Sequence, residues 1–179
     1  MIDLMASMAI FALVTAGIYQ VFIPFLKMAR STNERLAVQQ DTRLAMDRMA
    51  RDLRESIVAR LRVYGGGTAI GFASPRPGCT GAFTVDAPSG KPFWQATVYI
   101  VRDAPSGEVR AYCDATPPLF PAAAPVTTGP YRVLADNVQL LSFVQSPSFD
   151  SISIELHERT PRGDADRYIR TEFVPQNDY

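Results

Sequence analysis

The sequence predicts an α+β chain: one N-terminal α-helix of about 60 residues, kinked near Pro24, then a mainly antiparallel β-sheet domain. Three observations carry this. Leu4 to Leu26 holds no charged residue; residues 27 to 62 hold neither glycine nor proline; and thirteen of the fourteen prolines lie beyond Arg62. Proline breaks helix interiors, so long helices belong to the first third only. The chain divides into an apolar helical half at 1–26, an amphipathic half at 27–63 packed on the domain, and a β-rich domain at 64–179.

The apolar run is 23 residues long, and at about 1.5 Å per residue it reaches roughly 34 Å as a helix. A bilayer's hydrocarbon layer is about 30 Å thick, so the run is long enough to cross it. It lacks the charged head of a signal peptide, exceeds the usual apolar core of about 7 to 15 residues and has no small-x-small cleavage site. A retained span is the expectation. Lys27, Arg30 and Arg35 would place the domain in the cytoplasm, whereas Cys79 and Cys113 suit an oxidising compartment. A basic leader removed from before Met1 would reconcile the two. Asp3 heads the run, and a carboxylate at the tip of a membrane segment ordinarily has a partner.

Beyond Pro24 the stretch KMARSTNERLAVQQDTRLAMDRMARDLRESIVARLRV is helical in composition. Met46, Met49, Leu53, Ile57 and Leu61 recur every three or four residues, the mark of one buried helix face. Asp47 with Arg51 and Arg48 with Asp52 stand one turn apart, each pair worth about 0.2 to 0.5 kcal/mol. Pro24 removes a backbone donor and crowds the preceding turn, and Gly17 weakens the same region. Gly65, Gly66 and Gly67 are expected to end the helix and form a hinge.

After the glycines the period changes to two. The stretches 94–103 and 108–113 flank APSG and predict a hairpin. Residues 131–145 predict one central strand, with Val138, Leu140 and Val144 on one face and Leu141 and Phe143 on the other. SISIEL and YIRTEF, separated by ERTPRGDAD, predict a second hairpin. Shorter strands are expected at 68–73 and 82–86, and 117–130 as a loop.

Composition excludes several functions. Residues 27–62 hold nine Lys or Arg against five Asp or Glu, and 63–179 nine against twelve, far from the concentrated basic face of a nucleic-acid binder. Cys79 and Cys113 are expected to form a disulfide, whose 34-residue loop is worth roughly 3.5 to 4 kcal/mol by chain entropy. Neither they nor the distant His157 have metal-ligand spacing, and no metal or other cofactor is expected. His157 alternates with Leu156 and should leave the apolar face. Arg162, Gly163, Asp164 and Asp166 fit a hairpin turn better than a calcium or integrin-like site. Phe93, Trp94, Tyr99, Tyr112, Phe120 and Tyr131 read as sheet packing before a stacking platform. A single histidine makes a catalytic triad hard to build, and no enzyme activity is expected.

The starting acid, the run LMASMAIFALV, the helix containing QQDTRLAMDRMARDLRES and the late antiparallel sheet together resemble the type IV pilin-like superfamily. RLAMDRMARDLRES, LADNVQLLSF and SISIELHER are most similar to minor pilins and to the J-type minor pseudopilins of type II secretion. The likeness covers the first 60 residues well and the last 50 loosely; 64–130 carry no family signature. It implies a pilin fold and a structural subunit of a type IV pilus or related filament, assembled through its hydrophobic N-terminal helix. A minor pseudopilin, or a tip adhesin or DNA-uptake subunit, is the alternative. The implied location is the inner membrane before assembly, then a periplasmic or extracellular filament on a bacterial surface, with a methylated amino terminus.

The resemblance further implies that Asp3 neutralises the terminal amine, carried here by Met1, of a neighbouring subunit and so sets register. The family usually has Glu there, preceded by four residues where this chain has two; a solvated head-group residue is the other reading. Leu4, Met5, Met8, Ile10, Phe11, Leu13, Ile18 and Phe22, with Pro24, would pack against other helices, and Ala6, Ser7, Ala9, Ala12 and Ala16 would allow close approach. Partners would be copies of the chain or related subunits, with no small-molecule substrate; glycan and nucleic-acid binding stay open.

Overall fold

The computed structural model describes residues 2–116, 120–146, 148, 151–159 and 166–175, with side chains from Ser7 onward except that of Asp166. Helix α1 runs from Ile2 to Arg54 with no break at Pro24. Two compact units divide within it, 1–37 and 38–179. In the second, Thr42, Ala45, Met46, Met49 and Leu53 are buried, the three-and-four spacing of one helix face.

The helix stops nine residues before the boundary expected at 63. The Glu55 and Ser56 amides still donate to the Arg51 and Leu53 carbonyls, at 3.3 and 3.1 Å, and then the chain extends. A short 3₁₀ turn at Val58–Arg60 leads into β1, Leu61–Tyr64. Ile57 and Leu61 therefore do not continue the helical face. Ile57 and Val58 are β-branched and favour extension, and LRVY pairs antiparallel with β2, Ala69–Ser74. Gly65–Gly67 form the turn between these two strands instead of a hinge after the helix. Gly67 has φ +107°, and a Cβ on it would stand 2.8 Å from the Phe143 carbonyl oxygen. Only glycine fits there.

The expected first hairpin is present as β3, Ala96–Asp103, and β4, Glu108–Asp114. The expected central strand at 131–145 is two strands: β5, Tyr131–Ala135, and β6, Val138–Gln145. Asn137 between them has φ +55°, a left-handed conformation that asparagine tolerates better than most residues. The second expected hairpin is β7, Ile152–Arg159, with β8, Asp166–Phe173. Near 82–86 only an isolated bridge forms, Val85 to Pro92.

All pairing is antiparallel, in two meanders: β1-β2-β3-β4-β5, and β6-β7-β8. The chain changes sheet at Asn137, so β6 is an edge and β7 the centre of the smaller sheet. A register shift between Val138 and Leu140 turns Val138 inward with Leu141 and Phe143, leaving Leu140 and Val144 exposed. Such a bulge breaks strict alternation, which is why Val138 was expected on the wrong face.

One core joins the helix and both sheets. Met49 and Leu53 share one buried cluster with Ile70, Phe72 and Ile100 of the large sheet and Phe143, Ile154 and Leu156 of the small one. Each such side chain contributes about 1.5 to 3 kcal/mol when removed from water. The large sheet's other face carries Tyr64, Ala69, Tyr99 and Tyr112. A Cβ on Gly71 would stand 3.0 Å from the Tyr64 and Tyr99 rings. The loop around Ala122 closes this face: Tyr64 Oη and Arg62 Nη1 donate to the Ala122 carbonyl at 2.7 and 2.8 Å, and the Ala122 amide donates to Tyr99 Oη at 3.0 Å. Burial first, and then Tyr99, pushes the Tyr64 pKa up to about 12. Its hydroxyl keeps its proton as a donor.

Candidate functional site

The first unit is helix without a core of its own. Met8, Ile10, Phe11, Leu13, Ile18 and Phe22 are all more than half exposed. Val14, Val21 and Phe25 join them, so apolar side chains point in all directions. Successive residues on a helix are about 100° apart, and no polar stripe interrupts the set. Gly17 leaves a notch flanked by Val14, Ile18, Val21 and Phe22. Thr15 returns its hydroxyl proton to the Phe11 carbonyl at 2.8 Å, hiding its one strong donor. The helix from Ser7 is long and apolar enough to cross a membrane, and its apolar window has no buried residue. A helix that is hydrophobic all round belongs in a buried or lipid setting.

Asp3, Leu4 and Met5 lie in α1, but their side chains are outside the described residues, and Met1 is outside altogether. The side chains that would set register are thus not described, whereas Met8 to Phe22 are placed on one exposed helix together with Pro24.

In the second unit Cys79 and Cys113 are disulfide-bonded, with Cα atoms 5.9 Å apart. The bond ties the 3₁₀ turn Pro77–Cys79 to β4. Beside it a cavity of about 210 Å³ is floored by Val98 and Ala111 and rimmed by two ion pairs. Arg76 donates to both Glu55 oxygens, at 2.6 and 2.7 Å, and Arg132 Nη2 donates to Asp52 Oδ2 at 3.1 Å. Asp52 therefore pairs with β5, not with Arg48 as helix spacing predicted. Burial raises its pKa more than Arg132 lowers it. The rim's cations and anions answer each other, which leaves the cavity apolar in character.

Thr42 and Glu158 form a buried polar contact between α1 and β7, the Thr42 hydroxyl meeting the Glu158 carboxyl. Sequence reasoning missed both. The signal was present: Ile152, Ile154, Leu156 and Glu158 share one period-two face, so a carboxyl had to enter the core. Burial raises the Glu158 pKa, with Asp41 and Asp136 adding to the effect and Thr42 opposing it.

His157 is half-buried on the face opposite Leu156, as its alternation required. The aromatics divide: Tyr99 and Tyr112 are buried, while Phe93, Phe120 and Tyr131 are exposed. Arg110 stacks over Tyr131 at 4.5 Å, Arg62 over Phe120 at 5.6 Å and Arg60 over Trp94 at 5.7 Å. Arginines therefore already cap three of the rings. Arg162, Gly163 and Asp164 lie outside the described residues, as does the Asp166 side chain. Among the described residues no three His, Cys, Asp or Glu converge as metal ligands.

No protein-family model matches the chain, and neither a curated protein nor a solved structure matches it. What stands is the architecture: a long apolar N-terminal helix, then a disulfide-bonded antiparallel β domain.

Proposed function

We propose that the chain is a structural, pilin-like subunit of a type IV pilus or related filament, held in the inner membrane by its apolar helix and then packed through that helix among like subunits. The observation that supports this reading most is the helix from Ser7 to Leu26, exposed and apolar on every side. Lipid covers such a surface before assembly, and neighbouring helices cover it afterwards. Within lipid, association rests on close packing and on small residues, here Ala9, Ala12, Ala16 and Gly17. On this reading the chain works by packing and not by catalysis. Its disulfide suits an oxidising compartment on the outer side of the membrane.

Asp3 supplies direction. An apolar rod slides along its neighbours with little preference for height, whereas a carboxylate in a low-dielectric bundle gains only where a positive group meets it. The Met1 amine of an adjacent subunit is that group, and the pair fixes axial register.

The test is filament incorporation in cells expressing the chain with its natural companions. Asp3→Ala is expected to leave the membrane-bound pool intact and to lower the amount in sheared filaments at least about tenfold, the factor for roughly 1.4 kcal/mol of lost pairing. Unchanged incorporation overturns the register role. Recovery of the unsubstituted chain only as monomers in membrane vesicles overturns the filament reading.

A further inference from the structure

Strand β8 is the last strand of the smaller sheet, and no described strand pairs with its outer edge. It is eight residues long, Asp166–Phe173, enough to template another strand. Between it and the C-terminal part of α1 lies a groove of about 620 Å³. Ile169, Arg170 and Thr171 all line it. Consecutive side chains of a strand point to opposite faces, so three in a row share only the strand's edge. The groove therefore exposes main-chain donors and acceptors.

The opposite wall is cationic. Arg43, Arg51 and Arg54 line it from the helix, and none forms an ion pair with a described residue. Of the acids nearby, Glu55 is held by Arg76 and Glu155 by Arg170; Asp47 lines the groove and forms no ion pair with a described residue. Met46 and Ile169 supply apolar contact at the base. The combination of an open strand edge, apolar floor and surplus positive charge specifies its occupant by chemistry.

We propose that this groove receives an extended, acidic segment of a partner protein, which adds to β8 as a fourth strand and places its carboxylates against Arg43, Arg51 and Arg54. Main-chain hydrogen bonds supply affinity in this mode, and alternate side chains supply selection. The partner's inward-facing residues would be small or apolar, to lie over Ile169. The site belongs to the second unit and is independent of how the apolar helix is used.

The full chain in non-ionic detergent micelles, titrated with a fluorescent eight-residue peptide alternating threonine and glutamate, tests this. Binding is expected, weakened at least about tenfold when lysine replaces glutamate, when alternate peptide amides are N-methylated, or in Arg51→Glu. Arg51→Glu also disturbs the helix end, so Arg43→Glu, away from that end, is measured beside it and should weaken binding in the same direction. Absence of binding overturns the proposal. Equal binding of the N-methylated peptide overturns strand addition, and displacement by millimolar inorganic phosphate, or preference for phosphatidylglycerol vesicles over the peptide, overturns the peptide specificity.

Discussion

Glu158 occupies a position where β7 would ordinarily carry an aliphatic side chain. It is 3% exposed and Thr42 is fully buried. The Thr42 hydroxyl has one proton and two acceptors at hand, the Val38 carbonyl at 2.5 Å and the Glu158 carboxyl. A protonated Glu158 resolves this: it donates to Thr42 Oγ1, and Thr42 donates to Val38. An ionised Glu158 leaves an acceptor short and puts its charge near Asp41 and Asp136, both negative. Arg167 stands opposite on β8 and Val138 on β6, but Glu158 forms no ion pair with a described residue. Because the folded-state pKa lies above the ordinary value of 4.5, the contribution to stability is complete below that value and is lost as pH rises through the folded pKa. Glu158→Gln keeps a donor toward Thr42 without the charge. Its melting temperature is expected to exceed that of the unsubstituted protein at pH 8 and to match it near pH 4, as read by circular dichroism. A gap that widens toward low pH would refute the account.

Whole elements show where sequence patterns suffice. The two hairpins β3-β4 and β7-β8 were legible because alternation is local and APSG marks a turn. The buried helix face through Leu53 was legible for the same reason. The end of that helix was not, since Ile57 and Leu61 keep helical spacing and no breaker occurs before Gly65. What extends Leu61–Tyr64 is its pairing with β2, a contact between segments that periodicity within either one does not reveal. The division of 131–145 likewise depends on one backbone conformation at Asn137 and one bulge. For the candidate site, the apolar helix was plain in the sequence, whereas the Thr42 to Glu158 contact spans 116 positions. The disulfide needed only two cysteines. Replacing both by serine releases the tie between the Pro77–Cys79 turn and β4. Denaturant titration is expected to show a loss of about 3.5 to 4 kcal/mol, the entropy of the freed loop. A loss below about 1 kcal/mol would mean that the unfolded chain is already constrained there.

At the scale of the molecule, the two units differ in what completes them. Among the described side chains, the core cluster begins at Ala45 and lies wholly within residues 38–179. A chain beginning at Val38 is expected to dissolve without detergent and to melt in one transition within a few degrees of the full chain in micelles. Loss of cooperative melting on this truncation would show that the apolar helix contributes to the domain's stability. The Ala122 clasp bears on where foreign sequence can be grafted. By composition, the stretch around Pro121 to Pro130 invites an epitope tag, yet it is the lid of the tyrosine layer, and an insertion there would flood that layer with solvent. The bend at Gly90 has open space beyond its Cα, but its φ of +66° requires glycine, so a label there must ride on an added residue and leave Gly90 itself in place.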